Sequence, residues 1–192
     1  MKLHFNFNYL PNTLSIIRIA LTPLFIYLFW QEGNLFIVGI IIFSIAALTD
    51  WYDGYVARKY DSISNIGMFL DPLADKVLIW SAFICCALKG LFAWWMIAVI
   101  IARDFFVTTL RISTRMKKIN LPTSRIAKYK TAGQFSVLYT IFLYILLDNS
   151  SILLASNFLM LIIVGLSIYT SIDYGIQHYT LKKHLKGIKP TK

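Results

Sequence analysis

The sequence predicts an all-helical integral membrane protein that crosses the bilayer six times. Of its 192 residues, 58% are hydrophobic and only 15% are charged, and the mean hydropathy is +0.65. Water-soluble domains average about 45–50% apolar and about 25% charged residues. The apolar residues gather in six stretches, and a spanning helix needs about 20 residues. We therefore expect one membrane-embedded domain over residues 1–192 and no separate soluble domain.

The six stretches are joined by short polar or helix-breaking connections. In chain order they cover about 12–31, 35–57, 72–88, 91–112, 124–147 and 151–175, and a basic tail, 179–192, follows the last. The second is uncharged only over residues 34–49, and the third only over residues 77–88. At 1.5 Å per residue these parts cover about 24 and 18 Å of a hydrocarbon core roughly 30 Å thick. Charged turns must complete both spans.

The other four stretches reach the required length by themselves. The first follows Pro11 and carries Arg18 about one turn inside, where its side chain either snorkels to the interface or lines a pocket. The fourth carries Arg103, which we expect to pair with the neighbouring Asp104 or another acid. The fifth begins in basic sequence, and the sixth ends before the basic tail.

Basic residues give the orientation. Fifteen Lys and Arg lie at the N-terminus, in the 58–66 and 111–130 segments and in the tail, against Lys89 alone in the other gaps. Cytoplasmic loops carry such an excess, so both termini are predicted to be cytoplasmic, in a membrane of the bacterial inner type. The net charge of +10 is thus a topology signal, and the predicted partner is a lipid bilayer rather than nucleic acid.

Four carboxylates lie in the charged turns that complete the second and third spans. Asp50 and Asp53 share one helical face with Gly54 and Ala57, because their spacing is i, i+3, i+4, i+7. Downstream, Gly67, Asp71 and Asp75 are four residues apart, which again gives one face if that helix is continuous. Alternatively, Asp71 caps a helix whose first residue is Pro72.

These acids point to a metal site at the cytoplasmic side of the membrane. Converging carboxylates repel one another unless cations lie among them, and oxygen ligands suit hard ions such as Mg²⁺ or Mn²⁺. Two divalent cations would neutralise all four. One alternative is a structural lattice of salt bridges with Arg58, Lys59 and Lys76. Another is a cation-coupled transporter, but the acids gather at one membrane side and no inverted repeat is visible.

The spacing of the acids resembles the signature of the CDP-alcohol phosphatidyltransferase family. The matching residues are Asp50-Trp-Tyr-Asp53-Gly54-Tyr-Val-Ala57-Arg58, eight residues, Gly67, three residues, Asp71, three residues, Asp75. Further segments resemble the branch that makes phosphatidylglycerophosphate: Pro11-Asn12-Thr13 with Arg18, Arg103-Asp104, Leu110-Arg111, and Lys128-Tyr129-Lys130-Thr131 with Gln134. That branch more often has Glu at position 104 and Gly at position 127.

The resemblance implies a CDP-alcohol phosphotransferase fold and transfer of a phosphatidyl group from CDP-diacylglycerol to sn-glycerol 3-phosphate, with release of CMP. It implies that two Mg²⁺ or Mn²⁺ ions are held by Asp50, Asp53, Asp71 and Asp75, with Asp75 also the general base. The CDP-binding residues would be Asp53, Gly54, Ala57, Arg58 and Gly67. It also implies a homodimer.

A phosphate-bearing acceptor needs cations. The candidates on the cytoplasmic side of the fourth and fifth spans are Arg111, Arg115, Lys128 and Lys130, and the candidates for pocket lining are Asn12, Arg18 and Arg103. Because the same basic residues follow from positive-inside topology, residue types alone leave inositol phosphate, serine or a second phospholipid open as the acceptor.

Overall fold

A computed structural model of the chain describes the backbone of residues 10–60, 67–116 and 125–187, and the side chains of residues 16–49, 76–114 and 129–180. All regular secondary structure within these ranges is α-helical. The helices are α1 (Leu10–Phe29), α2 (Asn34–Tyr60), α3 (Gly67–Leu88), α4 (Trp94–Met116), α5 (Arg125–Leu147) and α6 (Ser150–Gly187). Each coincides with one predicted stretch, so the all-helical prediction is confirmed.

Two helices are longer than their apolar stretches. The backbone of α6 stays helical to Gly187, twelve residues beyond the predicted end at 175, because helix-compatible polar sequence continues its apolar part. The third helix begins at Gly67 rather than at 72, so it includes a short apolar turn that Asp71, Asp75 and Lys76 separate from the main apolar stretch. A continuous apolar stretch marks neither extension, because the end of α6 is polar and the first turn of α3 is cut off by charged residues.

The helices group by contact into two units of three, residues 1–90 and 91–192. In unit 1, α1 packs against both α2 and α3, and α2 also contacts α3. Its core contains a chain of phenylalanine rings: the centroids of Phe25 and Phe43 lie 5.2 Å apart, and those of Phe29 and Phe36 lie 5.6 Å apart. A Cβ atom at Gly39 would lie 3.0 Å from the Cβ of Leu28, so α1 and α2 approach closely there.

In unit 2, α6 packs against both α4 and α5. One buried face of α6 has residues spaced alternately four and three apart, the period of a helix that packs along its length. These residues are Ser156, Met160, Ile163, Ser167, Thr170 and Tyr174. Four of the six carry hydroxyl groups, three of them in the C-terminal half of the face, so this half presents polar groups to its neighbours in the unit.

A short turn joins α1 to α2 in unit 1, and another joins α5 to α6 in unit 2. Gly33 precedes α2 with φ of +60°, and Gly90 follows α3 with φ of +73°, a backbone conformation that favours glycine. In unit 2, the Asn149 side chain accepts a hydrogen bond from the Ser151 backbone at 2.9 Å and so caps the start of α6.

The described surface is apolar and part of the interior is polar. Phe105, Phe158 and Leu154 are exposed, while Arg18 and Lys130 are buried. Among the described residues, two helical segments are long and apolar enough to cross a membrane, Tyr129–Leu147 and Ser150–Thr180. Shorter apolar segments, Ile16–Phe29, Asn34–Thr49 and Lys76–Leu88, lie in the three helices of unit 1.

Candidate active site

The acidic motif lies on two helices of unit 1. The backbone of α2 is helical through the first half of the motif, and α3 is already helical at Gly67. A continuous α3 places Asp71 and Asp75 one turn apart on one face, so Pro72 does not begin the helix as one interpretation of the sequence had it. The side chains of the motif lie outside the described residues: Asp50, Asp53, Gly54, Ala57, Arg58, Gly67, Asp71 and Asp75.

Arg18 lies in the interior of unit 1, one turn from the start of the motif. Its side chain is 1% exposed, and its Nε donates a hydrogen bond to the Ala46 carbonyl at 3.3 Å. The Thr49 hydroxyl donates to the same carbonyl at 2.8 Å. Ala46 precedes Asp50 by four residues, one turn of α2. Burial against α2 favours the pocket-lining interpretation of Arg18 over snorkelling to the interface.

A buried charged cluster joins the three helices of unit 2. We define the Asp104 cluster as Arg103, Asp104, Lys130, Gln134 and Thr170. The Asp104 carboxylate accepts hydrogen bonds from Arg103 Nη1 at 2.9 Å, from Lys130 Nζ and from Gln134 Nε2 at 3.5 Å. Arg103 Nε also donates to the Thr170 hydroxyl of α6 at 3.0 Å. The predicted pairing of Arg103 with Asp104 is therefore confirmed.

The Asp104 cluster is enclosed by protein. Arg103 is 8% exposed, and the other four members are fully buried. Two cations share one carboxylate, and two of the cluster's polar atoms, Arg103 Nη2 and Gln134 Oε1, have no hydrogen-bond partner among the described residues. A buried charge without a partner is costly, and both cations are bonded to the same carboxylate, so each member constrains the others.

Arg111 lies two turns beyond Arg103 on α4 and has a different environment. It is exposed, and its Nη2 donates to the Tyr174 hydroxyl at 2.5 Å. The guanidinium carbon also lies 5.0 Å from the centroid of the Tyr174 ring, within the range of a cation–π interaction. Tyr174 itself is fully buried on α6.

The structure gives the predicted phosphate-binding residues, and the predicted pocket-lining residue Arg103, different environments. Lys130 and Arg103 meet at Asp104 inside unit 2, whereas Arg111 is exposed and bonded to a neutral hydroxyl. The side chains of Arg115 and Lys128, on α4 and α5, and of Asn12 on α1 lie outside the described residues.

Thr170 and Tyr174 are not found by reasoning from residue types, because a hydroxyl in an apolar stretch has no distinctive chemistry. The feature that identifies these two residues is their position on α6. They are four residues apart on the buried face of α6, and each accepts a hydrogen bond from an arginine of α4. Arg103 precedes Arg111 on α4, and their partners follow the same order on α6, as expected for two neighbouring helices that run parallel.

The fold and the residues together define a helical protein with an acidic motif on its second and third helices and a buried charged cluster on its last three. A model of the CDP-alcohol phosphatidyltransferases matches residues 8–169, and the chain belongs to that family. The resemblance inferred from the motif is thus confirmed.

Several relatives share one name, CDP-diacylglycerol–glycerol-3-phosphate 3-phosphatidyltransferase. The protein of that name from Rickettsia typhi is 33% identical over 171 residues, which cover 88% of this chain and 94% of the relative. The one from Bacillus subtilis is 37% identical over 148 residues, 70% of this chain and 77% of the relative. The one from Blochmanniella floridana is 37% identical over 135 residues, 67% and 70% of the two chains.

Proposed function

We propose that this chain transfers the phosphatidyl group of CDP-diacylglycerol to sn-glycerol 3-phosphate, giving phosphatidylglycerophosphate and CMP. The observation that carries the proposal is the similarity to the Rickettsia typhi transferase, which extends over 94% of that protein. All eight positions of the acidic motif are filled as well. The shared name of the relatives favours glycerol 3-phosphate over inositol phosphate, serine or a phospholipid.

The four candidate metal ligands fit two divalent cations. All four candidate ligands are carboxylates, as Mg²⁺ and Mn²⁺ prefer. Helical backbone sets Asp50 and Asp53 three residues apart on α2, and Asp71 and Asp75 four apart on α3, in the same unit. Among the described side chains, no group of three or more His, Cys, Asp or Glu could hold a metal. When bound, the ions would neutralise the charge of the diphosphate.

Each remaining residue of the motif has a role in the proposal. Gly54 and Ala57 leave space for the nucleotide beside α2, with Gly67 on the facing segment, and Arg58 binds the diphosphate. Asp75 takes the proton from the acceptor hydroxyl as its oxygen forms a bond to the phosphatidyl phosphorus. The bond from that phosphorus to the CMP oxygen breaks, and CMP leaves. The chain mainly positions and neutralises the reactants, as in other phosphoryl transfers.

We assign the acceptor's phosphate to Arg111 together with Arg115 and Lys128. An exposed guanidinium bonded to a neutral hydroxyl keeps its positive charge available for an anion. Lys130 and Arg103 both pair with the Asp104 carboxylate, so we propose that they stabilise unit 2 and do not bind the acceptor's phosphate.

We also propose that the six helices span a bacterial-type inner membrane, with both termini and the catalytic residues cytoplasmic, and that the protein is a homodimer. The exposed apolar side chains and the two long apolar segments support the membrane setting. The excess of basic residues in alternate gaps supports the orientation. The homodimer follows from family resemblance.

The experiment is to measure CMP released by the purified protein from CDP-diacylglycerol and Mg²⁺, with glycerol 3-phosphate, inositol phosphate, serine or a phospholipid offered in turn. We expect CMP and phosphatidylglycerophosphate with glycerol 3-phosphate. Asp75→Asn should abolish the reaction, while Glu32→Gln, an exposed acid between α1 and α2, should leave it unchanged. Release with another acceptor would contradict the assignment, and no release with any acceptor would favour cation transport.

A further inference from the structure

The contact between Arg111 and Tyr174 has two parts that act together. The tyrosine hydroxyl accepts a hydrogen bond from Arg111 Nη2, and the ring lies beside the guanidinium carbon. Tyr174 is fully buried on the face of α6 that packs within unit 2. The long, exposed Arg111 side chain is therefore held by a rigid group with only two side-chain torsions.

The charge around Arg111 is uncompensated within the described part of the chain. No carboxylate there lies within ion-pair distance of its guanidinium. Eight residues earlier on α4, Arg103 instead pairs with Asp104 at 2.9 Å. A guanidinium carries five N–H donors, and the contact with Tyr174 uses one of them. Arg111 thus keeps its charge and most of its donors for a ligand that carries oxygen anions.

We propose that Tyr174 is a positioning residue for Arg111, which it orients for the phosphate of the acceptor; this rests on the proposed function. An unrestrained arginine loses considerable rotamer freedom when it binds a phosphate, and that loss weakens binding. Tyr174 orders the guanidinium before the acceptor arrives. Because Tyr174 holds Arg111 without itself carrying charge, it leaves the attraction for phosphate intact.

Thr170 and Tyr174, one turn apart on α6, bind two arginines that have different functions. Thr170 bonds to an arginine whose charge is already shared with a buried carboxylate, and Tyr174 bonds to one that is open to solvent. The same helix face therefore fixes a structural cation and, one turn later, a ligand-binding cation. This explains why a fully buried tyrosine hydroxyl is found opposite an exposed arginine.

The test is Tyr174→Phe, which removes the hydroxyl and keeps the ring and its volume. We expect the KM for glycerol 3-phosphate to rise about 3- to 10-fold, the effect of losing one hydrogen bond. The KM for CDP-diacylglycerol and kcat should change by less than about 2-fold. Tyr179→Phe, at a tyrosine of the same helix that is 71% exposed, is the matched control and should match wild type.

A double-mutant cycle separates positioning from a general effect on folding. In the Arg111→Ala background, Tyr174→Phe should add no further rise in the KM for glycerol 3-phosphate, because there is no guanidinium to orient. Arg111→Lys provides a second test at an exposed position. It keeps the charge and loses the planar fork, and it should raise the same KM without affecting that for CDP-diacylglycerol.

Several results would overturn the inference. They are a wild-type KM for glycerol 3-phosphate in Tyr174→Phe, an equal rise for both substrates, or an undiminished effect of Tyr174→Phe in the Arg111→Ala background. A rise confined to CDP-diacylglycerol would place the arginine on the diphosphate instead and would also overturn it. Failure of the proposed function is distinct, since wild-type protein would then form no phosphatidylglycerophosphate.

Discussion

Asp104→Asn is expected to destabilise the protein strongly. The Asp104 carboxylate is fully buried, and both Arg103 and Lys130 donate to it. The substitution keeps the shape of the side chain and removes its negative charge, so two buried cations face a neutral amide. An amide also presents N–H groups in place of one acceptor oxygen, which puts donors against donors.

The expected loss of stability in Asp104→Asn follows from the burial of its two cationic partners. Breaking a buried ion pair by removing one charge costs about 3–5 kcal/mol. Lys130 is 0% exposed and Arg103 is 8% exposed, so solvent screening does not reduce this figure appreciably. For a chain of about 150–250 residues, 1 kcal/mol shifts Tm by roughly 2–4 °C, so Tm should fall by about 6–20 °C.

The assay is thermal unfolding of purified protein in one detergent, with recovery of the monodisperse fraction measured in parallel. Asp104→Glu keeps the charge and serves as the conservative comparison. Asp173→Asn is the matched control, since this half-buried carboxylate in the same unit accepts from the neutral Gln177 amide at 3.0 Å. Equal Tm values for Asp104→Asn and Asp173→Asn would refute the reasoning that the Asp104 carboxylate stabilises the two buried cations.

Three further outcomes follow from the site and the fold. Chelation with EDTA should abolish CMP release, and Mg²⁺ or Mn²⁺ should restore it; activity that persists in EDTA would remove the metals from the proposal. Gly54→Leu should block CDP binding, measured by calorimetry, while Tm stays close to wild type, and unchanged CDP affinity would contradict the contact with α2. Lys89→Gln should lower Tm by a few degrees, about 1 kcal/mol, because the Lys89 ammonium lies 4.9, 5.6 and 5.8 Å from the ring centroids of Phe29, Trp30 and Phe36. An unchanged Tm in Lys89→Gln would show that these ring contacts contribute nothing to stability.

The helices could be predicted from the sequence because apolar stretches are local. Six stretches gave six helices, and the polar gaps marked their ends to within a few residues except at two places. The end of α6 at Gly187 lies in polar sequence, where apolar patterning carries no signal. The start of α3 at Gly67 is separated from the main apolar stretch by charged residues, so that stretch does not mark it. The grouping into two units of three depends on which faces pack, and periodicity along one helix does not reveal that.

The candidate site could be predicted only in part. The spacing of the eight-position motif can be read along the sequence and identifies the family, and the pairing of Arg103 with its neighbour Asp104 is confirmed. The contacts of Lys130 and Gln134 with Asp104 join residues 26 and 30 positions apart, and that of Tyr174 with Arg111 joins residues 63 positions apart. Such contacts are determined by helix packing, which a single sequence does not specify.

The burial of Lys130 changes the number of basic residues that support the predicted orientation. The positive-inside rule counts basic residues that stay in water near the membrane surface, but Lys130 is enclosed by protein and bonded to Asp104. It should be removed from the count of fifteen, which leaves fourteen against Lys89 on the other side. The predicted orientation does not depend on it. A basic residue near a helix end can therefore belong to the protein interior. The contacts distinguish Lys130, which is buried against Asp104, from Arg111, which is exposed and accessible to an anion.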